Sequence, residues 1–301
     1  MSFAYDCKNE LCRVKTDRTC CAVAESYGVL LFCHTFSANE IRITTANTEF
    51  ARRLPKLFKK AFGVSFDICP DEESEGKKSF IITDRGKIEG IFDAFDLTAS
   101  STVSHHINFG VLEEECCRVS FVRGAFLAGG SVTDPDKRYH LELATSHHSV
   151  ARELISILMD MGFSPKESSR AGTTLVYFKQ ADSIADFLTT IGASTTAMNV
   201  MTAKVEKEMR NTITRQINCD SANADKTVAA AQAQINAIKK YASVNGLDSL
   251  PDNLRDVALL RITNPEASLA DLAKLSYPQV TKSCLSHRMN KIMELAREVG
   301  K

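Results

Sequence analysis

The feature that most limits how this chain can fold is an internal repeat. Cys20, Cys21, Val23 and Gly28 recur 96 positions later as Cys116, Cys117, Val119 and Gly124. Farther along, Thr45, Ala51 and Arg52 recur 100 positions later as Thr145, Ala151 and Arg152. The difference of four fits a longer turn in the second copy, where TDPDKR replaces SANE and supplies two of the four residues. Repetition at a fixed offset means one supersecondary unit used twice. On this reading the two cysteine pairs mark the repeat more than they mark chemistry.

Each copy carries the same series of patterns. A helix rich in small residues (20–34 and 116–130) leads into a strand, a polar turn follows, and then come the alternating strands IRITT and HLELAT. An amphipathic helix is next, with Phe50, Leu54, Leu57, Phe58 and Phe62 on its apolar face in one copy. Val150, Leu154, Ile157, Leu158 and Met161 do the same in the other. A second strand pair (FDICP with SFIIT, SPKES with TLVYF) and a short helix close each copy. The expected fold is α+β: a pseudo-two-fold duplicated αββαββα domain of about 190 residues, a helical linker and an all-α module.

The run CCRVSFVRGAFLAGGSV (116–132) gathers Gly124, Ala125, Ala128, Gly129 and Gly130. A phosphate-binding loop needs a strand leading into glycines ahead of a helix, with Lys-Ser/Thr after them. Here the glycines end a helix and no lysine follows until Lys137. Small residues at helical spacing instead let one helix bring its backbone against a neighbour. The expected neighbour is the equivalent helix of the first copy, AESYGVLLFCH.

Charge divides the chain although the total is zero. Residues 1–197 hold 22 Lys/Arg against 26 Asp/Glu, whereas 198–301 hold 15 against 11. A basic C-terminal third points to a polyanion as its partner. The longest apolar runs, such as 29–33, fall far short of a membrane span. Ten cysteines without a secretion signal point to a reducing cytoplasm.

From 198 to 217 the apolar residues Met201, Val205, Met209, Ile213 and Ile217 recur every fourth position, a helix with a narrow stripe. Asn218, Asp220, Ser221 and Asn223 supply helix-stop and N-cap chemistry, so a second, alanine-rich helix is expected to run to about Tyr241 before SVNGLDSLP breaks it. After Pro251 three helices are expected: 254–261, 268–275 and 281–299. Ser268 is the N-cap of the second, with Leu269, Leu272 and Leu275 inward, and Pro278 in SYPQV blocks continuation into the third. The third opens TKSCLSHRMNK with no acid until Glu294, and Val280, Leu285, Met289 and Ile292 form its inner face. This spacing suits a helix-turn-helix whose last helix enters the major groove. The candidate DNA-binding residues are Thr281, Lys282, Ser283, Ser286, His287, Arg288, Asn290 and Lys291. Arg288 is assigned to bases, because its planar fork bonds guanine bidentately, and Lys282 to the phosphate backbone.

A repeated small-residue helix opening an αββαββα half resembles the LAGLIDADG homing endonucleases. RGAFLAGGSVTDP, the paired cysteines, NCDSANADKT (218–227) and ASLADLAKL with TKSCLSHRMNKI (267–292) resemble, more closely, the WhiA family of bacterial transcription regulators. The resemblance covers essentially the whole chain in the right order. It implies an endonuclease-derived domain over 1–195 (repeats about 18–97 and 114–192), a linker over 196–249 and a helix-turn-helix domain over 250–301 with its motif at about 267–300. It also implies a role in cell division, chromosome segregation or sporulation, with a cytoplasmic, nucleoid-associated location. The partners it implies are double-stranded DNA at promoters, and another regulator or division protein through the N-terminal domain.

Active LAGLIDADG enzymes carry an acid near the end of each motif helix to hold Mg²⁺ at the scissile phosphate. Alignment puts Gly129 at that position in the second copy and Cys33 in the first, and neither ligates Mg²⁺. No catalytic residue, metal or cofactor is therefore expected. The pairs His105–His106 and His147–His148, and Cys7 with Cys12, have no partners at ligand spacing. DEESEGKK (71–78) is read as a solvated turn. The alternative to a promoter-binding regulator is a nucleoid or division scaffold that uses DNA as an address, with a residual nuclease behind both.

Overall fold

A computed structural model describes residues 2–70, 76–97 and 105–299. Most of the acidic segment 71–78 lies outside them. The chain separates into two compact units, 1–207 and 208–301.

The first unit opens with a helix that the patterns did not announce, α1 (Phe3–Cys12), capped by Ser2 and burying Cys7 and Leu11 one turn apart. The first copy then runs α2 (Thr19–Leu31), β1 (Thr35–Phe36), β2 (Ile41–Thr45), α3 (Thr48–Phe62), β3 (Lys78–Ile82) and α4 (Arg85–Asp93). The second runs α5 (Glu115–Gly129), β4 (Gly130–Val132), β5 (Leu141–Thr145), α6 (His148–Asp160), β6 (Lys166–Arg170), β7 (Thr173–Phe178) and α7 (Ala181–Ile191). The second copy forms a four-stranded antiparallel sheet in the order β4-β5-β7-β6. The first has β1-β2-β3 and, in place of a fourth strand, a single bridge from Ile68 to Ile81. FDICP is thus not a full strand, and Pro70, which cannot donate to a ladder, lies at its end.

The helices α2 and α5 form the centre of this unit, and glycine is what lets them meet. A Cβ on Gly28 would lie on the Phe121 carbonyl oxygen and 2.7 Å from the Ala125 nitrogen. A Cβ on Gly124 would lie on the Glu25 carbonyl oxygen and 3.1 Å from the Val29 nitrogen. The reciprocal pair is the packing expected of the run 116–132. The same pseudo-dyad relates what these helices reach. Tyr27 stacks on Phe95 with ring centroids 4.1 Å apart, and its hydroxyl donates to the His106 carbonyl at 2.8 Å. Arg123, 96 positions after Tyr27, donates from Nε at 2.7 Å to the carbonyl of Ile191, 96 positions after Phe95.

One buried charge group locks the two central helices to the rest. Glu25 is fully buried; it accepts from Arg53 at 2.6 and 2.8 Å and from Arg123 at 3.3 Å. Arg53 also donates to the carbonyls of Cys12 and Val14 and to Thr16. Burial disfavours the charge on both arginines. At Arg53 the short bonds to Glu25 outweigh it and the pKa is raised; at Arg123 they do not and it is lowered.

The amphipathic helices α3 and α6 bury the faces their periodicity indicates, apart from Phe62 and Met161, which are partly covered. One histidine of each pair meets one of the other pair. His105 donates from Nε2 to the Phe36 carbonyl at 2.8 Å and meets His147 edge to face, centroids 4.5 Å apart. Burial lowers the pKa of both, reinforced at His147 by its neighbour His105. The unfolded chain therefore takes up protons near the ordinary value of about 6.5 while the folded chain resists them. In that window the unfolded state binds more protons, so stability falls as pH falls, and the loss is complete below the folded pKa values. We expect the melting temperature to decline as pH drops below about 6.5, and His147→Gln to flatten that decline. A melting profile unchanged between the two proteins across that range would remove this pair as the cause.

Between the last strand helix and the C-terminal module there is one helix, not two. α8 (Ser194–Asn245) continues through Asn218, Asp220, Ser221 and Asn223, all exposed. Such residues weaken a helix by only about 0.5 kcal/mol each, far less than the penalty of about 3 kcal/mol for an interior proline. The helix ends at Gly246, which has φ 74°. At its start, Glu10 accepts from the backbone of Thr195 at 2.7 Å and of Thr196 at 2.9 Å, occupying the free N–H groups of the first turn. No helix among the described residues is long and apolar enough to cross a membrane.

Candidate nucleic-acid interface

In the second unit, the end of α8 packs with α9 (Asp252–Thr263), α10 (Leu269–Leu275) and α11 (Lys282–Glu298). Ile238, Tyr241, Leu254, Val257, Leu272, Leu285, Met289 and Ile292 form its core. The chain turns from α10 into α11 through Ser276, whose hydroxyl donates to the Ala273 carbonyl at 2.8 Å and accepts from the Val280 N–H at 3.2 Å. Ser268 caps α10 by accepting from the Asp271 N–H and donates its own proton to the Asp271 carboxylate at 2.7 Å. Thr281 caps α11 by accepting from the Cys284 N–H at 3.2 Å. Of the expected inward leucines on α10, Leu272 is buried and Leu269 packs partly, but Leu275 is exposed. At seven residues the helix is too short for a third buried turn.

The eight candidate residues divide by where α11 places them. Leu285, Met289, Ile292 and Ala296 are its buried stripe. Ser283, His287 and Asn290 fall within about 60° of one another on the opposite, fully exposed side. Lys291 stands beside them, 3.7 Å from Glu294 in an exposed pair of little energetic weight, whereas Lys282, exposed in the first turn, projects on the Met289 side of the helix. Ser286 and Arg288 are half-buried, and Arg288 sits on the shoulder beside the buried stripe, about 100° from His287. Thr281 is engaged as a cap, leaving it a positioning role at the helix start.

Two features here are absent from the sequence-based expectations. Arg261, a helix-end residue by sequence, is 1% exposed; its Nη1 donates to the Ala267 carbonyl at 2.6 Å and fixes the α9–α10 turn. It lines a cavity of about 230 Å³ together with Lys226, Gln234, Ser268 and Lys282. Tyr277, in the turn before α11, is 98% exposed. An aromatic ring inside the otherwise polar SYPQV turn was the available clue.

Gly129 and Cys33, the positions aligned with the metal-binding acids of the enzymes the sequence resembles, also have defined places. Gly129 ends α5, where a Cβ would lie 2.6 Å from the Ala144 carbonyl oxygen and 3.1 Å from the Phe32 ring. A carboxylate side chain does not fit there without displacing backbone. Cys33 follows α2; its thiol donates toward the carbonyls of Leu30 at 3.1 Å and Thr35 at 3.2 Å, and burial pushes its pKa up to about 12.

Comparison with known proteins agrees with both units. Residues 118–210 match the model of the WhiA LAGLIDADG-like domain and residues 213–296 that of the WhiA C-terminal HTH domain. A probable cell division protein WhiA of Ruminiclostridium cellulolyticum is 36% identical, over 100% of this chain and 99% of its own. One from Macrococcus caseolyticus is 34% identical over 99% and 97%. Full-length DUF199/WhiA from Thermatoga maritima has the same fold, with a TM-score of 0.60 at 24% identity over 99% of each chain. With a helix-turn-helix unit, a duplicated LAGLIDADG-like domain and relatives this similar over their whole length, the chain belongs to the WhiA family.

Proposed function

We propose that this protein is a DNA-binding transcription regulator acting in cell division, chromosome segregation or sporulation, its endonuclease-like unit serving as a scaffold without nuclease activity. The observation that carries the reading is the α11 surface. Among the described residues the side chains of Ser283, His287 and Asn290 make no hydrogen bond; they stand beside Lys291 on a helix seated on a hydrophobic core. Such a face offers donors and acceptors to base edges in the major groove while the flanking cations meet phosphates. The half-buried position of Arg288 moves the assignment of base contacts to His287 and Asn290 and leaves Arg288 with Lys282 at the backbone. Lys282 shares its cavity with Lys226, which adds a second cation there.

Asn290 is expected to pair with adenine, the base whose edge a side-chain amide bonds bidentately. Asn290→Ala then costs about 1–3 kcal/mol on a specific site and relaxes preference at one base position. Arg288→Ala and Lys282→Ala each weaken all sequences alike and lower the salt slope by about one. Binding isotherms on specific and scrambled duplexes at several salt concentrations distinguish these outcomes. If none of the three substitutions changes binding, α11 is a solvated surface and recognition lies elsewhere.

The name shared by the relatives favours a second reading, a division scaffold that uses DNA as an address. Genome-wide occupancy read beside transcript levels in a deletion strain separates the two: promoter-centred binding with altered transcription supports the regulator. A chain truncated after residue 207 should bind duplex DNA far more weakly than the whole protein. Ending it at 195 instead would remove Ala197 and Val200 from the core of the first unit.

A further inference from the structure

The two cysteine pairs do more than mark the repeat. Cys20 and Cys21 are the second and third residues of α2, and Cys116 and Cys117 hold the same places in α5. The pseudo-dyad that joins the helices at Gly28 and Gly124 also brings their N-terminal ends together. The four sulfur atoms lie within 4.8 Å of one another, and no disulfide joins them. Among the described residues no other group of three or more Cys, His, Asp or Glu brings its donor atoms so close. We propose that Cys20, Cys21, Cys116 and Cys117 form a tetrathiolate site for a single Zn²⁺-class ion on the pseudo-dyad of the N-terminal unit.

Four features support a metal rather than four idle thiols. The first is distance. Four sulfurs at about 2.3 Å from a tetrahedral ion stand about 3.8 Å apart, a contraction of at most about 1 Å from the separations present. A two-iron cluster requires the two thiolate pairs to spread around a larger core. The second is symmetry, since two pairs related by a two-fold axis are compatible with a tetrahedral site.

The third is charge. Four thiols that bind Zn²⁺ release four protons, leaving a centre of net charge −2 with no electron transferred. The positive ends of two helix dipoles meet at the site. Arg18 lies with Nη1 3.8 Å from the Cys116 sulfur, and Lys15 and Arg123 line the same cavity, against the acids Asp17 and Glu115. The fourth is capping. Neither α2 nor α5 has a side-chain N-cap, a lack they share with α6, α7 and α9. Their first-turn N–H groups are left to donate to thiolate sulfur. Access is also built in: Cys20 is exposed and Cys117 buried, so one side of the site opens to solvent. The ion fastens together the ends of the two helices on which the duplicated domain is built.

The test uses the full chain, purified under reducing conditions, stripped with chelator and then supplied with Zn²⁺ or Co²⁺. We expect about one metal ion per chain, and with Co²⁺ the thiolate-to-metal charge-transfer absorption and d–d bands of a tetrahedral thiolate site. Cys20→Ser and Cys116→Ser should each weaken binding by more than about 100-fold, the most that loss of an outer-shell partner causes. Arg18→Ala should weaken it by about 10-fold. Cys69→Ser and Cys219→Ser, at exposed cysteines elsewhere, should bind as the parent does. Because a ligand variant can fail to fold, the wild-type cobalt spectrum and the protection of Cys20 and Cys116 from alkylation by bound Zn²⁺ are read independently. Three results would each overturn the proposal: reduced wild-type protein that takes up neither metal, uptake that survives folded Cys20→Ser and Cys116→Ser variants, or a cobalt spectrum without thiolate charge transfer.

Discussion

Glu25→Ala should lower the stability of the N-terminal unit by about 3–5 kcal/mol, because it strands two buried arginines. The carboxylate is fully buried, and the side chains of Arg53 and Arg123 are only 12% and 8% exposed. Removing one partner of such a group leaves charge in a poorly polarisable setting, which costs far more than the intact group contributes. Arg53 loses most, since it holds Glu25 through two short bonds while Arg123 stands at 3.3 Å. Arg53 would keep its bonds to the Cys12 and Val14 carbonyls, so the segment before α2 should loosen without detaching. Glu25→Gln should cost less than Glu25→Ala because the amide oxygen still accepts one arginine bond. Denaturant unfolding of the two variants beside the parent measures this. A loss below about 1 kcal/mol for Glu25→Ala would place the group among exposed pairs and refute its structural role.

Gly124→Ala sets two physical effects against each other. In an isolated helix the exchange stabilises by about 1 kcal/mol, through chain entropy and helix propensity. Here the added methyl lands on the Glu25 carbonyl oxygen, which is backbone and cannot rotate away. Relief requires α2 and α5 to separate, and overpacking of this kind costs about 1–3 kcal/mol, or more where backbone must move. The net change should therefore be destabilising by about 2 kcal/mol. Gly28→Ala should match it, because the Phe121 carbonyl stands in the mirrored place. Gly90→Ala is the control: it lies in α4 with nothing within 4 Å of its Cβ, and should be neutral or stabilising. If Gly124→Ala behaves like Gly90→Ala, the close approach of α2 and α5 is wrong.

Much of this architecture was legible before any coordinates, because it depends on local periodicity. The apolar faces of α3 and α6 show in a 3.6-residue spacing, and the alternation in IRITT and LELAT gives β2 and β5 their buried faces. The three C-terminal helices follow from Ser268, Thr281 and Pro278, residues that start or stop helices by their own chemistry. Where the reading went astray, the competing effect is identifiable. Asn218 to Asn223 were read as a break, although weak helix formers inside a long helix cost little. The apolar positions of α1 were too few to show a period, and Leu275 matched a period that its short helix does not continue.

The repeat, the αββαββα order that its second copy realises in full, and the small-residue face of α5 were determined by the sequence itself, since each is a relation between residues near in the chain or copied at a fixed offset. The convergence of Cys20 and Cys21 with Cys116 and Cys117 and the burial of Glu25 between Arg53 and Arg123 were decided only by the tertiary structure. Neither spacing nor propensity carries such information. A thiol pair has the same pattern whether its partner lies across a dyad or across the molecule. An acid in a helix reads as surface until the packing of two backbones closes over it.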